Sequence, residues 1–359
     1  MRWIPFDRME MYMARILEAA GVPEKDAHIC ARVLIESDKR GIDSHGIGRL
    51  KPIYIDRIRG GIIHPMTRVD VVKDGPATAV LDGNNGMGQV ISHQAMAMAI
   101  EKARLYGMGM VTVRNSNHYG IAGFYNTMAV EAGMIGINGS NARPSIAPTF
   151  GVENMLGTNP LTFGMPTDEP FPFMLDCATS ITQRGKIEVY QREGKTLPEG
   201  WVIGENGRPR TDTENVLKDL VAGGAALSPL GGIGEELGGY KGYGYATVVE
   251  ILSAALQGGA FLKALSGMEE EKKVPYRLGH FFIAINVESF TSLESFKKTT
   301  GDILRGLRAS KKAPDQERIY TAGEKEYLAW LDRKDRGVPV NEALEKDIAA
   351  LQEMYGIVP

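Results

Sequence analysis

The chain has 359 residues, which at roughly 150 residues per domain allows two domains, and its 43% apolar and 24% charged residues are ordinary for a globular protein. A net charge of −3 implies no strongly basic face, so no nucleic-acid partner is expected. The two cysteines, Cys30 and Cys177, lie in unrelated segments without metal-ligand spacing, which speaks for a reducing compartment and against a disulfide framework or a bound metal.

The N-terminal stretch MRWIPFDRMEMYMARILEAAG lacks the pattern of a signal peptide, and no run reaches ~18 apolar residues, so a cytoplasmic protein without a membrane partner is expected. The first 60 residues read as helices. FDRMEMYMARILEAAG stops at Gly21, PEKDAHICARVLIESDKRG runs from Pro23 to Gly41, and DSHGIGRLKPIYIDRIRGG is read as a third helix with Ser44 as its N-cap. Near residues 65–70 the character changes. RVDVVKDGPATAVLDG reads as two short strands, QVISHQAMAMAIEKARLYG as a helix, MGMVTVR as a strand, IAGFYNTMAVEAG as a helix and MIGINGS as a strand. NPLTFGMP, FPFMLDCA and HFFIAINV read as further strands, and YKGYGYATVVEILSAALQGG as a long apolar helix expected at the centre of the molecule. The last ~70 residues are charged and helical. Alternating strands and helices imply a mixed α/β fold.

Four stretches can carry chemistry. In DSHGIGRL, a helix starting near Ser44 puts His45 and Arg49 on one face, where they could grip a carboxylate and a neighbouring oxygen; the alternative is a surface helix start. In RNSNHYG, His118 follows a strand, the sheet edge at which ligands bind, and can act as a general acid or base, with Asn115 and Asn117 able to orient it; the alternative is an incidental turn histidine. LDCATS ends a strand with Asp176 and the hydroxyls of Thr179 and Ser180, suited to ribose or phosphate or to plain helix capping. PLGGIGEELGGYKGYGYA is glycine-dense, but Leu237 and Thr247 stand where a G-x-G-x-x-G pattern needs its third glycine. Lys241 there precedes a helix, a suitable spot for an anion.

Taken together and in order, DSHGIGRL, RNSNHYGIAGFY, MLGTNPLTFGMP, LDCATS, GGYKGYG and HFFIAI resemble the type-2 malate/L-lactate dehydrogenase family over nearly the whole chain. The resemblance implies a non-Rossmann NAD(P)-binding α/β domain over residues 69–307 and a mainly helical domain formed by residues 1–68 with 308–359. It implies hydride transfer between NAD or NADP, NAD preferred, and a small 2-hydroxy/2-oxo acid such as malate/oxaloacetate or L-lactate/pyruvate. A cyclic imine acid, sulfopyruvate or a sugar-derived keto acid is the alternative substrate; a dinucleotide-binding protein without turnover is the non-enzyme alternative. It also implies a homodimer.

Residue by residue, His118 matches the family's proton acceptor, His45 matches a proton donor of another member, and Arg49 matches a substrate-carboxylate position. Which histidine handles the proton stays open. Ser140, Asp176, Cys177, Ala178, Thr179, Ser180, Tyr240 and Lys241 match cofactor contacts. The family's Pro-Gly-Glu cofactor contact becomes Ala322, Gly323 and Glu324 here. Arg143 or Arg184 would favour NADP if either reached the 2′-phosphate.

Overall fold

The computed structural model describes residues 2–359. The chain begins with a short strand, β1 (Arg2–Ile4), followed by α1 (Phe6–Ala19) and α2 (Glu24–Lys39), which start after Pro5 and Pro23. Prolines at these positions forfeit no intrahelical bond, because the first N–H groups have no partner anyway. The third helix of the sequence reading is not continuous. Ser44 and His45 lie in a turn ahead of a 3₁₀ turn (Ile47–Arg49), a π-helical turn (Leu50–Ile55) and the short α3 (Asp56–Arg59). Pro52 sits inside the π turn, where its missing N–H breaks the regular helical ladder.

The α/β region then unfolds as β2 (Asp70–Asp74), β3 (Thr78–Asp82), α4 (Gly88–Tyr106), β4 (Met108–Ser116), α5 (Gly123–Glu131), β5 (Met134–Ser140), β6 (Leu161–Met165) and β7 (Phe173–Cys177). A segment that sequence patterning left unread forms α6 (Arg184–Arg192), β8 (Val202–Gly204), α7 (Thr213–Ala222) and β9 (Ala225–Leu227). The long apolar helix α8 (Gly239–Ala254) leads through a hairpin, β10 (Met268–Glu269) and β11 (Lys272–Lys273), into β12 (Leu278–Asn286). The chain closes with α9 (Leu293–Ala309), α10 (Glu324–Arg333), β13 (Val338–Val340) and α11 (Glu342–Tyr355).

Seven strands form one mixed sheet in the order β2-β3-β4-β12-β5-β6-β7. Only β3 and β4 run parallel, joined by the crossover helix α4; the other pairs are antiparallel. The apolar run of β12 is central and buried, with His280 paired in register to Val113 on one side and Ser140 on the other. Because strand side chains alternate, Phe282 and Ala284 join the core under α4 and α5. On the opposite face Gly279 packs against Ser253 of α8.

A second core joins α1, α2 and the π turn to Val338, Val340, Leu344 and Leu351 from the C-terminal part, and β1 pairs antiparallel with β13. A third core lies among α6, α7, β8 and β9. α8 packs against the central strands β12, β5 and β4, as expected, but it is not covered all round. One face buries Gly242, Ala246, Val249 and Ser253, whereas Tyr245, Val248 and Ile251 are exposed. An apolar composition does not distinguish a helix buried all round from one with an uncovered apolar face.

Candidate active site

His118 follows the end of β4, beside the C-terminal end of β5 and the start of β12. Its backbone is held from below by the start of α4. A Cβ at Gly88 would stand 2.3 Å from the carbonyl oxygens of Asn117 and His118, so only glycine permits this approach. Asn117 Nδ2 donates to the carbonyls of Asn85 and Gly86, and Asn115 Nδ2 donates to Asp82. The two asparagines therefore fasten the loop to its neighbour and do not hydrogen-bond the His118 ring. That orientation comes from elsewhere: Tyr54 Oη lies 2.7 Å from His118 Nδ1, and Gly120 N donates to the same nitrogen at 3.3 Å.

His45 reaches the same place from the helical body. Its ring lies nearly parallel to that of His118, with centroids 5.7 Å apart, and Ser44 Oγ is 2.9 Å from His45 Nδ1. Ser44 is thus a partner of the imidazole and not a helix cap. The turn that presents His45 is anchored by Asp38, a buried carboxylate accepting from Ile47 N at 2.9 Å. Gly46 is required there, because a Cβ would stand 1.9 Å from Asp38 Oδ1. Arg333 ties the turn to α10 by donating to Asp38 O and to the Asp43 carboxylate. Arg49 folds back to donate from Nε to Ser44 O, which leaves its terminal nitrogens for a ligand.

Burial shifts both imidazoles toward the neutral form. Burial and then the Arg49 charge lower His45 to about 4. Burial lowers His118 well below the ordinary histidine range, and His45, Arg57, Arg49 and His280 act in the same direction. Asp38 is pushed up to about 8, chiefly by burial. Two partners were invisible in the patterning. Tyr54 is fully buried in the π turn, and His280, which the sequence only placed at a strand start, is buried with Nδ1 2.8 Å from Ser140 Oγ and its ring stacked on Tyr119. A period-2 strand reading would have put His280 and Phe282 on one face of β12 and so marked His280 as internal.

The residues expected to meet a cofactor fall into linked groups. Ser140 ends β5 against His280. Thr179 O accepts from Leu230 N and Ser180 pairs with Pro229, so the LDCATS stretch and the glycine-rich loop are brought together. The buried hydroxyls of Ser180, Thr182 and Ser228 have no hydrogen-bond partner among the described residues. Such orphaned hydroxyls fit the ribose and phosphate groups of a dinucleotide. Tyr240 and Lys241 stand exposed at the start of α8, the Lys241 ammonium 5.7 Å from the Tyr240 ring.

Asp176 is fastened within the fold: Oδ2 accepts from Gly123 N at 2.7 Å and thereby satisfies the first amide of α5. It also lines a cavity of about 470 Å³ with Gly323, Tyr327 and Trp330. Cys177 and Ala178 are half-buried beyond it. Ala322 O accepts from Met174 N, and the buried Glu324 carboxylate pairs with Arg318 and accepts from Thr321 N.

A histidine pair hydrogen-bonded to a phenol, an arginine whose terminal nitrogens make no hydrogen bond among the described residues, and a hydroxyl-lined glycine loop are parts that an acid/base oxidoreductase site can use. Comparison with known proteins agrees. The family model for malate/L-lactate dehydrogenase matches residues 4–349. The malate dehydrogenase of Pyrococcus abyssi is 46% identical over 99% of this chain and 95% of its own length. The L-sulfolactate dehydrogenase of Methanocaldococcus jannaschii is 38% identical over 95% of this chain and 94% of its own. The crystal structure of malate dehydrogenase from Entamoeba histolytica superimposes with a TM-score of 0.96 at 45% identity, covering 100% of this chain and 99% of that one. The chain belongs to the malate/L-lactate dehydrogenase family. It is an oxidoreductase acting on 2-hydroxy acids with a nicotinamide cofactor.

Proposed function

We propose that this enzyme interconverts malate and oxaloacetate with NAD(H). The observation that carries the reading is the stacked His45–His118 pair, followed one turn later by Arg49 and oriented by Tyr54. Arg49 binds the C1 carboxylate through its terminal nitrogens, with His45 polarising the 2-oxo oxygen. Gly120 N–H can only donate, so in the neutral ring Nδ1 is the acceptor and Nε2 carries the proton. In reduction, His118 gives that Nε2 proton to the 2-oxo oxygen as Tyr54 Oη passes its proton to Nδ1, and one proton taken up from solvent restores the phenol. In oxidation Nε2 accepts the hydroxyl proton, Nδ1 passes one to Tyr54 Oη, and Tyr54 releases its own to solvent. When bound, a nicotinamide would supply the hydride chemistry at C2, held by the residues assigned to the dinucleotide below. Burial holds the Tyr54 phenol well above the usual tyrosine range, so the phenolate does not accumulate and the hydroxyl regains a proton in the same turnover.

Ser140, the Asp176, Cys177, Ala178, Thr179 and Ser180 stretch, Tyr240, Lys241 and the Ala322, Gly323 and Glu324 turn are assigned to the dinucleotide. NAD is taken as the preferred cofactor, with Arg184 held in an i,i+4 pair with Glu188 rather than aimed at a 2′-phosphate. Residues 1–68 with 308–359 are taken as the helical domain and 69–307 as the nucleotide-binding domain. Two chains are proposed to pair through the exposed apolar face of α8, with Leu237 and Phe261 beside it, since a patch of this kind is rarely left in water. A cytoplasmic location is supported by two unpaired cysteines, and no helix among the described residues is long and apolar enough to cross a membrane.

The test is oxidation of NADH and of NADPH, followed with a panel of oxaloacetate, sulfopyruvate, pyruvate and a cyclic imine acid. Highest kcat/KM for oxaloacetate with NADH supports the reading; preference for any other pair of substrates overturns it.

A further inference from the structure

Arg57 lies three residues beyond Tyr54, one turn along the same segment, and its guanidinium carbon sits 4.4 Å above the centre of the Tyr276 ring. Its side chain is half-buried yet makes no hydrogen bond and no ion pair among the described residues. Burial draws its ionisation below the usual arginine range; Tyr276 and Tyr54 oppose that shift, and Arg143 and Arg49 add to it. A half-buried cation without a carboxylate partner is costly unless an anion completes it. The aromatic ring beneath fixes the plane of the fork and supplies part of that compensation, but offers it no hydrogen-bond acceptor. Tyr276 in turn is wedged against Gly267, where a Cβ would stand 2.6 Å from the ring. The fork is therefore held in one place with its donors unused.

We propose that Arg57 binds the second, distal anionic group of the substrate and so selects 2-oxo dianions over monoanions. This rests on the malate/oxaloacetate reading, in which Arg49 takes the C1 carboxylate. A carboxylate or sulfonate on the carbon next to the carbonyl would accept two parallel bonds from the Arg57 fork, completing a cation that is otherwise unpaired. Pyruvate, with a methyl group there, leaves the fork unsatisfied, which penalises its binding. Arg57 touches no reacting atom in this assignment and acts on specificity alone.

The experiment compares kcat/KM for oxaloacetate and pyruvate in the full-length wild-type enzyme, Arg57→Gln and Arg57→Lys. Each ratio is read on one preparation, so partial unfolding changes both numbers and leaves the ratio intact. Arg57→Gln should lower kcat/KM for oxaloacetate about tenfold to hundredfold, chiefly through KM, and leave pyruvate nearly unchanged. Arg57→Lys keeps the charge without the fork and should fall between. Inhibition by succinate should weaken in both variants while inhibition by propionate does not. Equal losses on both acids, or an unchanged ratio in Arg57→Gln, overturn the proposal; if that variant does not fold, an unchanged ratio in Arg57→Lys does so. A wild type that reduces none of these acids refutes the functional reading itself. One that prefers dianions, with a preference the variants retain, refutes only the role of Arg57.

Discussion

Tyr54 Oη lies 2.7 Å from Nδ1 of His118, although 64 residues separate them in the chain. The contact crosses from the helical body to the edge of the sheet. It exists because the π turn rotates Tyr54 inward, and single π turns of this kind recur at functional positions in other proteins. If the hydroxyl donates to Nδ1, it stabilises the neutral ring. Tyr54→Phe should then raise the ionisation of His118 and move the acid limb of the kcat/KM profile to higher pH, with kcat falling about three- to tenfold. A limb that moves to lower pH would mean that the phenol accepts instead.

His118→Ala should reduce kcat by roughly 10²–10⁴-fold while leaving cofactor affinity close to wild type. His45→Ala should cost less in kcat and more in KM, because that ring is assigned to polarising the bound oxygen. Single-turnover kinetics with a dinucleotide titration separates the two. The opposite pattern would exchange their roles.

The wild-type profile carries its own signature. A histidine that is ordinarily half-protonated near pH ~6.5 is lowered here by burial, so the neutral form persists below that pH. Malate oxidation should therefore show no acid limb near 6.5, the limb appearing only at lower pH. An inflection at the ordinary value would place the active histidine in water.

Asp38 predicts a stability effect of definite sign. Its folded-state value of about 8 lies above the unfolded ~3.9, so the folded protein holds the proton more tightly. That contribution is complete below pH ~4 and is lost as pH rises towards 8, at on the order of 1 kcal/mol per pH unit. Asp38→Asn keeps an acceptor for Ile47 N and should flatten the dependence. Urea midpoints for both proteins between about pH 5 and about pH 8 check this; parallel curves would show that Asp38 is not the titrating group.

Val248→Glu combined with Ile251→Glu should convert a two-chain particle into a single chain by light scattering, since charges on a covered apolar face lose their hydration without a partner. An unchanged mass would move the contact to another surface.

Much of this was legible in the residues. The strand and helix runs from Asp70 to Cys177 follow period and punctuation, and the ordered motifs around His45, His118 and Ser180 mark the family. What patterning could not reach has physical reasons. Ser44 and His45 belong to a turn whose shape depends on a buried carboxylate and an arginine almost 300 residues later, not on local propensity. Asn115 and Asn117 look like ligands of His118, but they serve the Asp82–Gly86 loop, a non-local pairing. The first strand, β1, is three residues long and is stabilised only by β13. The exposed face of α8 is apolar for the same reason a buried face would be, so composition alone mistook it for core.

The pairing of β1 with β13, and the hold of Arg333 on Asp38 and Asp43, also bear on the order in which the molecule can be made. During synthesis, α1 and α2 leave the ribosome early, yet the residues that lock the His45 turn come some three hundred positions later. The nascent protein must carry a half-built helical body, its apolar stripe uncovered, until the strand at Val338–Val340 has emerged. Chains that end before Arg333 would consequently lack the contacts that fix the turn carrying His45.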